Sequence, residues 1–314
     1  MRLLFCGDIF TEARQVLQSR LPADEMVVCP RDAVRESLGG VDVVIPMMTP
    51  IGTDVMDAGR FRLIHQFGVG LEGVDLEAAR ARGIWVANVP SADTGNADSV
   101  AEHALLLMLA VLRRLPEAQA NIRAGRLGSP LGLTLAGRTV CLFGLGAIAT
   151  ALARRLRAFD VRLLGISRRL DPARTKALGL DACYAPADRD AALARTDILV
   201  LCLPVTVETR GLVDAAALAA LPRGACLINI ARGPLVDYAA LCAALSSGHL
   251  GGAGLDVFWQ EPIAADDRLL SLPNVVATPH VAGVTDRSYA GIARTIAANV
   301  ERLRRGEPPL NRAA

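Results

Sequence analysis

Three polar side chains in the second half of the chain could bind an anion and move a proton. Arg232, Glu261 and His280 each follow a predicted strand. An arginine can bind a carboxylate through two hydrogen bonds, and a histidine can donate a proton to a carbonyl oxygen or accept one. A carboxylate beside that histidine would stabilise its protonated form. Singly, each residue is more often a surface or turn residue, but parallel strands bring their carboxyl ends to one edge, where we expect all three.

A glycine-rich turn, Gly144-Leu145-Gly146-Ala147-Ile148-Ala149, lies between a predicted strand at 139–143 and a predicted helix at 147–158. Gly144 permits a tight turn, Gly146 lets a diphosphate approach the backbone, and Ala149 allows the helix to pack closely on the strand. The first N–H groups of the helix, at Ala147 and Ile148, would then bind phosphate. The pattern predicts a dinucleotide site, and the alternative is a structural turn alone.

The residues after the next predicted strand, 161–166, distinguish between two cofactors. An Asp or Glu at that point binds the ribose hydroxyls of NAD. This chain has Ser167, Arg168 and Arg169 instead. A hydroxyl and two guanidinium groups suit a 2′-phosphate, which predicts NADP(H) in preference to NAD(H). The alternative is a solvated basic start to the following helix.

Strand-like and helix-like segments alternate along most of the 314 residues, which is typical of parallel sheets covered by helices. The fold class is therefore α/β, with two doubly wound parallel-sheet domains, Rossmann-like or flavodoxin-like, and a cleft between them. We expect a substrate domain at 1–98 and 284–314, and a dinucleotide-binding domain at 99–283. One long helical segment at 98–124 interrupts the alternation, and a last helix is predicted at 285–305. The predicted strands are 3–6, 26–29, 41–45, 63–67, 84–87, 139–143, 161–166, 198–203, 225–230, 253–257 and 274–277.

Composition excludes several classes of partner. A formal net charge of +2 predicts no nucleic-acid partner. No apolar run reaches the ~20 residues that span a membrane. The apolar stretch at the start of the chain is too short for a secretory signal, so we expect a cytoplasmic protein. The seven cysteines are scattered, as is typical of reduced core thiols. The four histidines are far apart in the sequence, which predicts no metal site.

Taken together, the motifs resemble the D-isomer-specific 2-hydroxyacid dehydrogenase family, particularly its glyoxylate/hydroxypyruvate reductases and phosphoglycerate dehydrogenases. The resemblance covers nearly the whole chain, and the ordered set of motifs is specific. It comprises Phe67-Gly68-Val69-Gly70, Asn88-Val89-Pro90, Ser99-Val100-Ala101-Glu102-His103, the turn at Gly144, Leu203-Pro204, the segment from Asn229 to Asp237, Gly254-Leu255-Asp256, Glu261-Pro262 and Thr278-Pro279-His280.

The resemblance implies reversible reduction of a 2-keto acid to a D-2-hydroxy acid by a homodimer, with 98–124 in the dimer contact. Arg232 would bind the substrate carboxylate and carbonyl, His280 would be the acid/base, and Glu261 would tune His280. The backbone of Val69 and Gly70 would also hold the carboxylate. Further cofactor contacts are implied for Ser99, Val100, Leu203, Pro204, Ile230, Ala231, Asp256 (to the nicotinamide amide), His280 and Gly283.

Two alternatives remain open from the sequence. Phosphite and formate dehydrogenases use related folds, although a glutamine commonly accompanies the histidine of formate enzymes, and Glu261 stands there instead. A dinucleotide-sensing corepressor would bind the cofactor without turnover, but the intact set of Arg232, Glu261 and His280 favours chemistry.

Overall fold

A computed structural model describes all 314 residues and divides them into two compact units. Unit 1 comprises residues 1–96 and 285–314, and unit 2 comprises residues 97–284. The expected boundaries, after residues 98 and 283, differ from these by two residues and one residue.

Each unit contains one sheet of short strands. In unit 1 the strands are β1 (Arg2–Cys6), β2 (Glu25–Cys29), β3 (Val43–Ile45), β4 (Leu63–His65) and β5 (Trp85–Ala87). In unit 2 they are β6 (Thr139–Phe143), β7 (Arg162–Ile166), β8 (Ala182–Tyr184), β9 (Ile198–Leu201), β10 (Cys226–Asn229), β11 (Gly252–Leu255) and β12 (Val275–Ala277).

Helices connect the strands, and none of them is both long and apolar enough to cross a membrane. They are α1 (Thr11–Arg20), α2 (Thr53–Ala58), α3 (Leu76–Ala81), α4 (Asn96–Leu112), α5 (Leu115–Arg123), α6 (Ala147–Leu156), α7 (Pro172–Leu178), α8 (Arg189–Leu193), α9 (Ala215–Ala220), α10 (Tyr238–Ser246), α11 (Arg268–Ser271) and α12 (Asp286–Arg304). Short 3₁₀ turns lie at Arg31–Ala33, Arg35–Ser37, Arg157–Phe159, Pro186–Asp188 and Gly233–Leu235.

The sheet of unit 2 is parallel throughout, in the order β12-β11-β10-β9-β6-β7-β8. Counted from β6, this is the Rossmann order, which reverses between β6 and β9. Successive residues of β6 enter opposite faces of the sheet: Val140 and Leu142 join one apolar core, and Cys141 and Phe143 join the other. Burial of both faces explains why the strands are apolar at every position rather than at alternate ones.

The sheet of unit 1 is also parallel, in the flavodoxin-like order β2-β1-β3-β4-β5. One of its faces is covered partly by α12, which contributes Ile292, Ile296 and Val300 to the core around Phe5. Thr285 caps α12 by accepting a hydrogen bond from the Ser288 N–H. Both sheets confirm the predicted α/β class with two doubly wound units.

The single helical segment predicted at 98–124 is wrong in one respect, because the structure breaks it into α4 and α5. Arg114 adopts a left-handed conformation at the break. Pro116 has no N–H to give to a carbonyl one turn earlier, and its ring would clash with that carbonyl. A proline is tolerated in the first turn of a new helix, so α5 begins there.

His65 has a structural role in unit 1. It is fully buried at the end of β4, with Nδ1 3.0 Å from the Gln66 carbonyl oxygen and Nε2 2.8 Å from Nδ2 of Asn299 on α12. The Asn299 Oδ1 accepts from the Leu310 N–H, which fixes Nδ2 as the atom facing His65. His65 therefore donates from Nδ1 and accepts at Nε2 as a neutral ring. Burial lowers its pKa from 6.5 to about 4.

We predict that His65 makes unit 1 sensitive to mild acid. The unfolded chain binds a proton at His65 below about pH 6.5, whereas the folded chain does so only near pH 4. The free energy of unfolding therefore decreases as the pH falls from about 6.5 to about 4. At pH 5 the loss is about 2 kcal/mol, or roughly 4–8 °C in melting temperature. Thermal unfolding of the wild type and His65→Gln at pH 7.5 and pH 5 measures it. The glutamine does not titrate, so equal drops in both proteins would contradict the prediction.

Candidate active site

The glycine-rich turn lies where the strand order of unit 2 reverses. Gly144 follows β6 with φ of +94°, a conformation that favours glycine. A Cβ atom at this position would lie 2.7 Å from the carbonyl oxygen of Cys202, which follows β9. Only a glycine therefore allows the ends of β6 and β9 to approach this closely, which is the point where open α/β sheets bind their ligands.

The N-terminus of α6 fits a diphosphate. Gly146 is its N-cap residue in extended conformation, and a Cβ there would meet no atom within 4 Å. No side chain caps the helix, and its first turn contains no acidic residue. Its first N–H groups, at Ala147 and Ile148, and the positive end of its dipole therefore suit an anion. Ala149 is fully buried against the sheet, as the predicted motif requires.

Ser167, Arg168 and Arg169 follow β7. Ser167 is half-buried, and its Oγ accepts a hydrogen bond from the Arg169 N–H at 3.3 Å. Both arginine residues are exposed. A hydrogen bond from Thr206 and the positive charge of Arg168 lower the pKa of Glu208, so Arg168 lies near the loop that follows Pro204. This strand end thus carries cationic side chains and a hydroxyl, with no carboxylate of its own.

The other predicted cofactor positions of unit 2 share one edge of the sheet or the first turns of α4. Most follow the carboxyl ends of β9, β10, β11 and β12, which are neighbouring strands. Ser99 and Val100 are buried near the start of α4. The positions at the strand ends are Leu203 and Pro204, Ile230 and Ala231, Asp256, and His280 and Gly283.

Asn229 builds the turn that carries Arg232. It is buried at the end of β10, its Nδ2 donates to the Arg232 carbonyl at 2.8 Å, and its Oδ1 accepts from the Ala231 N–H at 3.0 Å. The half-buried Arg232 side chain donates from Nη1 to the Ala231 carbonyl oxygen at 2.7 Å. Its guanidinium group is therefore oriented by the same turn that Asn229 holds. The sequence placed Asn229 in a motif, but its hydrogen bonds could be identified only from the structure.

Gly233 brings the Arg232 turn against the segment that carries Glu261. A Cβ at Gly233 would lie 2.1 Å from the carbonyl carbon of Phe258 and 2.5 Å from the Trp259 nitrogen. No side chain fits in that space, so this position requires glycine. The contact explains how residues from two different strand ends come together at one place.

Glu261 and His280 form a direct pair. His280 Nδ1 lies 2.7 Å from Glu261 Oε2, and Glu261 Oε1 accepts from the Phe258 N–H at 2.9 Å. Burial alone would raise the pKa of Glu261, but the hydrogen bond and charge of His280, the Phe258 N–H and the charge of Arg232 lower it. An ionised carboxylate accepts only, so Nδ1 of His280 carries a proton and Nε2 is the nitrogen that can exchange one. The three residues that the sequence singled out thus lie together in unit 2.

Asp256 holds the turn around His280, which has a positive φ of 53°. Its side chain is fully buried; Oδ1 accepts from the Thr278 hydroxyl at 2.6 Å and the Val281 N–H at 2.9 Å, and Oδ2 accepts from the Ala282 N–H at 2.8 Å. Burial alone would raise the pKa of Asp256, but hydrogen bonds from His103, Thr278 and these backbone groups lower it. The carboxylate therefore remains charged although it is buried.

His103 belongs to one of the family motifs, but its contacts were not predicted from the sequence and are seen only in the structure. Its Nε2 lies 2.9 Å from Thr278 Oγ1 and 3.4 Å from Asp256 Oδ1. The sequence contains a usable signal, because the residues one turn away on either side, Val100 and Leu107, are apolar. Both are buried in the structure, so His103 lies on the buried face of α4. A polar side chain on that face needs a hydrogen-bonding partner.

Val69 and Gly70 belong to unit 1, on the loop after β4. Gly68 precedes them with φ of +134°, and the Val69 carbonyl oxygen accepts a hydrogen bond of 2.6 Å from Asn88 Nδ2. Val69 is exposed and Gly70 is half-buried. The loop is thus fixed within unit 1 by Asn88, another residue whose contribution the sequence did not reveal.

Comparison with known proteins gives one family match and many relatives. The family described as D-isomer specific 2-hydroxyacid dehydrogenase, NAD binding domain, matches residues 105–282. A glyoxylate reductase of Thermococcus kodakarensis is 36% identical over 291 residues, covering 89% of this chain and 85% of the relative. A D-3-phosphoglycerate dehydrogenase of Mycobacterium bovis is 39% identical, covering 81% of this chain and 48% of the relative.

A solved structure is similar over the full length of the chain. The NADPH-dependent glyoxylate/hydroxypyruvate reductase of Sinorhizobium meliloti, in complex with NADP and malonate, is 36% identical, with a TM-score of 0.85 and coverage of 100% of this chain and 96% of that one. The family match and these identities show that the chain belongs to the D-isomer specific 2-hydroxyacid dehydrogenase family and is an NAD(P)-dependent oxidoreductase.

Proposed function

We propose that this dehydrogenase reduces a small 2-keto acid, with glyoxylate and hydroxypyruvate as first candidates, to a D-2-hydroxy acid, and that it prefers NADPH. The observation that carries the proposal is the 2.7 Å contact between His280 Nδ1 and Glu261 Oε2, close to Arg232. A cation for the substrate carboxylate and a paired acid/base for its carbonyl are what this reaction requires. Relatives named for glyoxylate and hydroxypyruvate reduction support the substrate class.

Each residue of the set has one proposed task. Arg232 binds the substrate carboxylate, a task that the resemblance to the family also gives to the backbone N–H groups of Val69 and Gly70. His280 donates the proton from Nε2 to the carbonyl oxygen and accepts it in the reverse direction. Glu261 holds His280 through Nδ1 and stabilises the positive charge of the ring. When bound, the reduced nicotinamide supplies the hydride that converts the carbonyl carbon to the alcohol.

The residues that would hold the cofactor extend along one edge of unit 2. Gly144, Gly146, Ala147 and Ile148 would bind its diphosphate at the uncapped start of α6. Ser167, Arg168 and Arg169 would bind a 2′-phosphate. The remaining contacts are assigned to Val100, Leu203, Pro204, Ile230, Ala231, Asp256, His280 and Gly283, on the resemblance to the family and on their position at the strand ends.

A homodimer is part of the proposal. The segment from α4 to residue 133 exposes several large apolar side chains, including Ile122 at 73%, Leu127 at 89% and Leu131 at 88%. Such a patch is unfavourable in water and is typical of a protein–protein contact. A mass measured by light scattering should be that of two chains, and a single-chain mass at micromolar concentration would contradict it.

A substrate screen tests the proposed function. We expect the purified enzyme to oxidise NADPH when glyoxylate or hydroxypyruvate is present. The loss of absorbance of the reduced nicotinamide measures the rate. Formate and phosphite with NADP⁺ and NAD⁺ form the second arm, because related folds oxidise them. Turnover of either, without turnover of any 2-keto acid, would replace the proposal, and cofactor binding without turnover of any substrate would favour a binding protein.

His280→Gln tests the proposed acid/base. General acid–base catalysis contributes about 10²–10⁴-fold, so we expect kcat to fall by that factor. The matched control is His249→Gln, since His249 also belongs to unit 2 but its Nε2 contacts the Leu218 carbonyl oxygen away from the site. Steady-state kinetics with glyoxylate measures both. A kcat of His280→Gln within tenfold of the wild type would remove His280 from this role.

Replacing Arg168 and Arg169 with alanine tests the preference for NADPH. Hydrogen bonds to charged groups contribute about 1.5–3 kcal/mol, so kcat/KM for NADPH should fall roughly 10- to 150-fold. The value for NADH should stay within about threefold, because NADH lacks the 2′-phosphate. Arg162→Ala is the control, an exposed arginine at the opposite end of β7. A wild-type preference for NADH would refute the cofactor assignment.

A further inference from the structure

We propose that His103 is a positioning residue for the acid/base, acting through Thr278 and Asp256 to hold the turn that carries His280. The inference rests on the proposed function, because it assumes the role assigned to His280. It assigns a task at the acid/base to a residue of α4, whereas Arg232, Glu261 and His280 all follow strands of the sheet.

His103 contacts the two side chains that hold the turn around His280, those of Thr278 and Asp256. Its side chain is 13% exposed and that of Asp256 is 1% exposed, so their contact is shielded from water. Nε2 of His103 lies 2.9 Å from Thr278 Oγ1, and Thr278 lies two residues before His280. Interactions between charged or polar groups are stronger in such surroundings than at a surface, and an unpaired group costs more.

The hydrogen-bond partners determine which way the protons point. The Thr278 hydroxyl has one hydrogen, and its 2.6 Å contact with Asp256 Oδ1 uses it, because a carboxylate only accepts. Thr278 Oγ1 must then accept from His103. Asp256 Oδ1, at 3.4 Å from the same nitrogen, also accepts. Nε2 of His103 therefore carries a proton: His103 donates to Thr278, and Thr278 donates to the Asp256 carboxylate, which is the final acceptor.

Asp256 transmits this restraint to both sides of His280. Its backbone carbonyl oxygen accepts from the His280 N–H at 2.8 Å, and its carboxylate accepts from the N–H groups of Val281 and Ala282. His280 itself has a positive φ, which a residue with a side chain adopts only when its surroundings hold it there. If the carboxylate loses a donor and moves, the turn and the His280 ring move with it.

The test separates loss of the donor from loss of packing. His103→Phe keeps a ring of similar size but has no N–H, whereas His103→Gln can donate from its amide. A displacement of about 1 Å at a catalytic group costs on the order of 10²-fold. We expect His103→Phe to lower kcat 10- to 100-fold at saturating cofactor, with KM for the keto acid within about threefold, and His103→Gln to stay within about fivefold of the wild-type kcat.

Thr278→Val provides a second variant, because it removes the bridging hydroxyl and keeps the shape of the side chain. It should reproduce the fall in kcat. Glu102→Gln is the control on the same helix, since Glu102 pairs with Arg155 at 2.6 Å instead of with this network. In both impaired variants, the primary isotope effect measured with deuterated cofactor should rise, because the chemical step becomes slower.

A double-mutant cycle distinguishes failure of this inference from failure of the proposed function. In a His280→Gln background, His103→Phe should reduce kcat by less than about threefold, because its effect passes through His280. Normal kcat for His103→Phe with only a lower melting temperature would overturn the inference, as would equal impairment of His103→Gln. An unimpaired His280→Gln enzyme, in contrast, would remove His280 from the acid/base role on which the proposed function depends.

Discussion

The site in unit 2 depends on a charged carboxylate buried at the end of β11. An ion taken out of water must be matched by donors, and Asp256 obtains them from Thr278, from two backbone N–H groups and from His103. Because Thr278, Val281 and Ala282 flank His280, their hydrogen bonds to the carboxylate also fix the conformation of the turn. The Asp256 N–H donates to the Asn229 carbonyl oxygen, which extends the arrangement to the end of β10 and hence to Arg232.

The parallel sheet makes this arrangement possible without long connecting loops. The carboxyl ends of β10, β11 and β12 lie side by side, so residues separated by tens of positions in sequence meet within hydrogen-bonding distance. Glycine then sets how closely the loops approach. Gly233 allows the Arg232 turn to contact the backbone of Phe258, and Gly144 likewise allows the end of β6 to approach the backbone of Cys202 after β9. Close backbone contacts at glycine therefore occur both at the glycine-rich turn and at the turn that carries Arg232.

Much of this could be predicted from the sequence, because buried parallel strands are continuous apolar runs and the motifs lie at their ends. All eleven of the predicted strands correspond to strands of the structure. The short edge strand β8, with three half-buried residues, has no such run and was missed. The break at Pro116 was missed because apolar periodicity continues on both sides of it. The contacts of His103 could not be predicted because its partners, Asp256 and Thr278, are more than 150 residues away in the sequence, and only folding brings them together.

The return of the chain to unit 1 has a consequence for the order in which the protein folds during synthesis. The α12 residues that cover one face of the first sheet, and Asn299, which binds His65, follow the whole of unit 2 in the sequence. The ribosome therefore completes unit 2 before it synthesises α12, the helix that covers part of the sheet of unit 1. Until then, the apolar face around Phe5 lacks its helix, and such a face is open to aggregation or to a chaperone. The nascent chain therefore begins unit 1, completes unit 2, and only then completes unit 1.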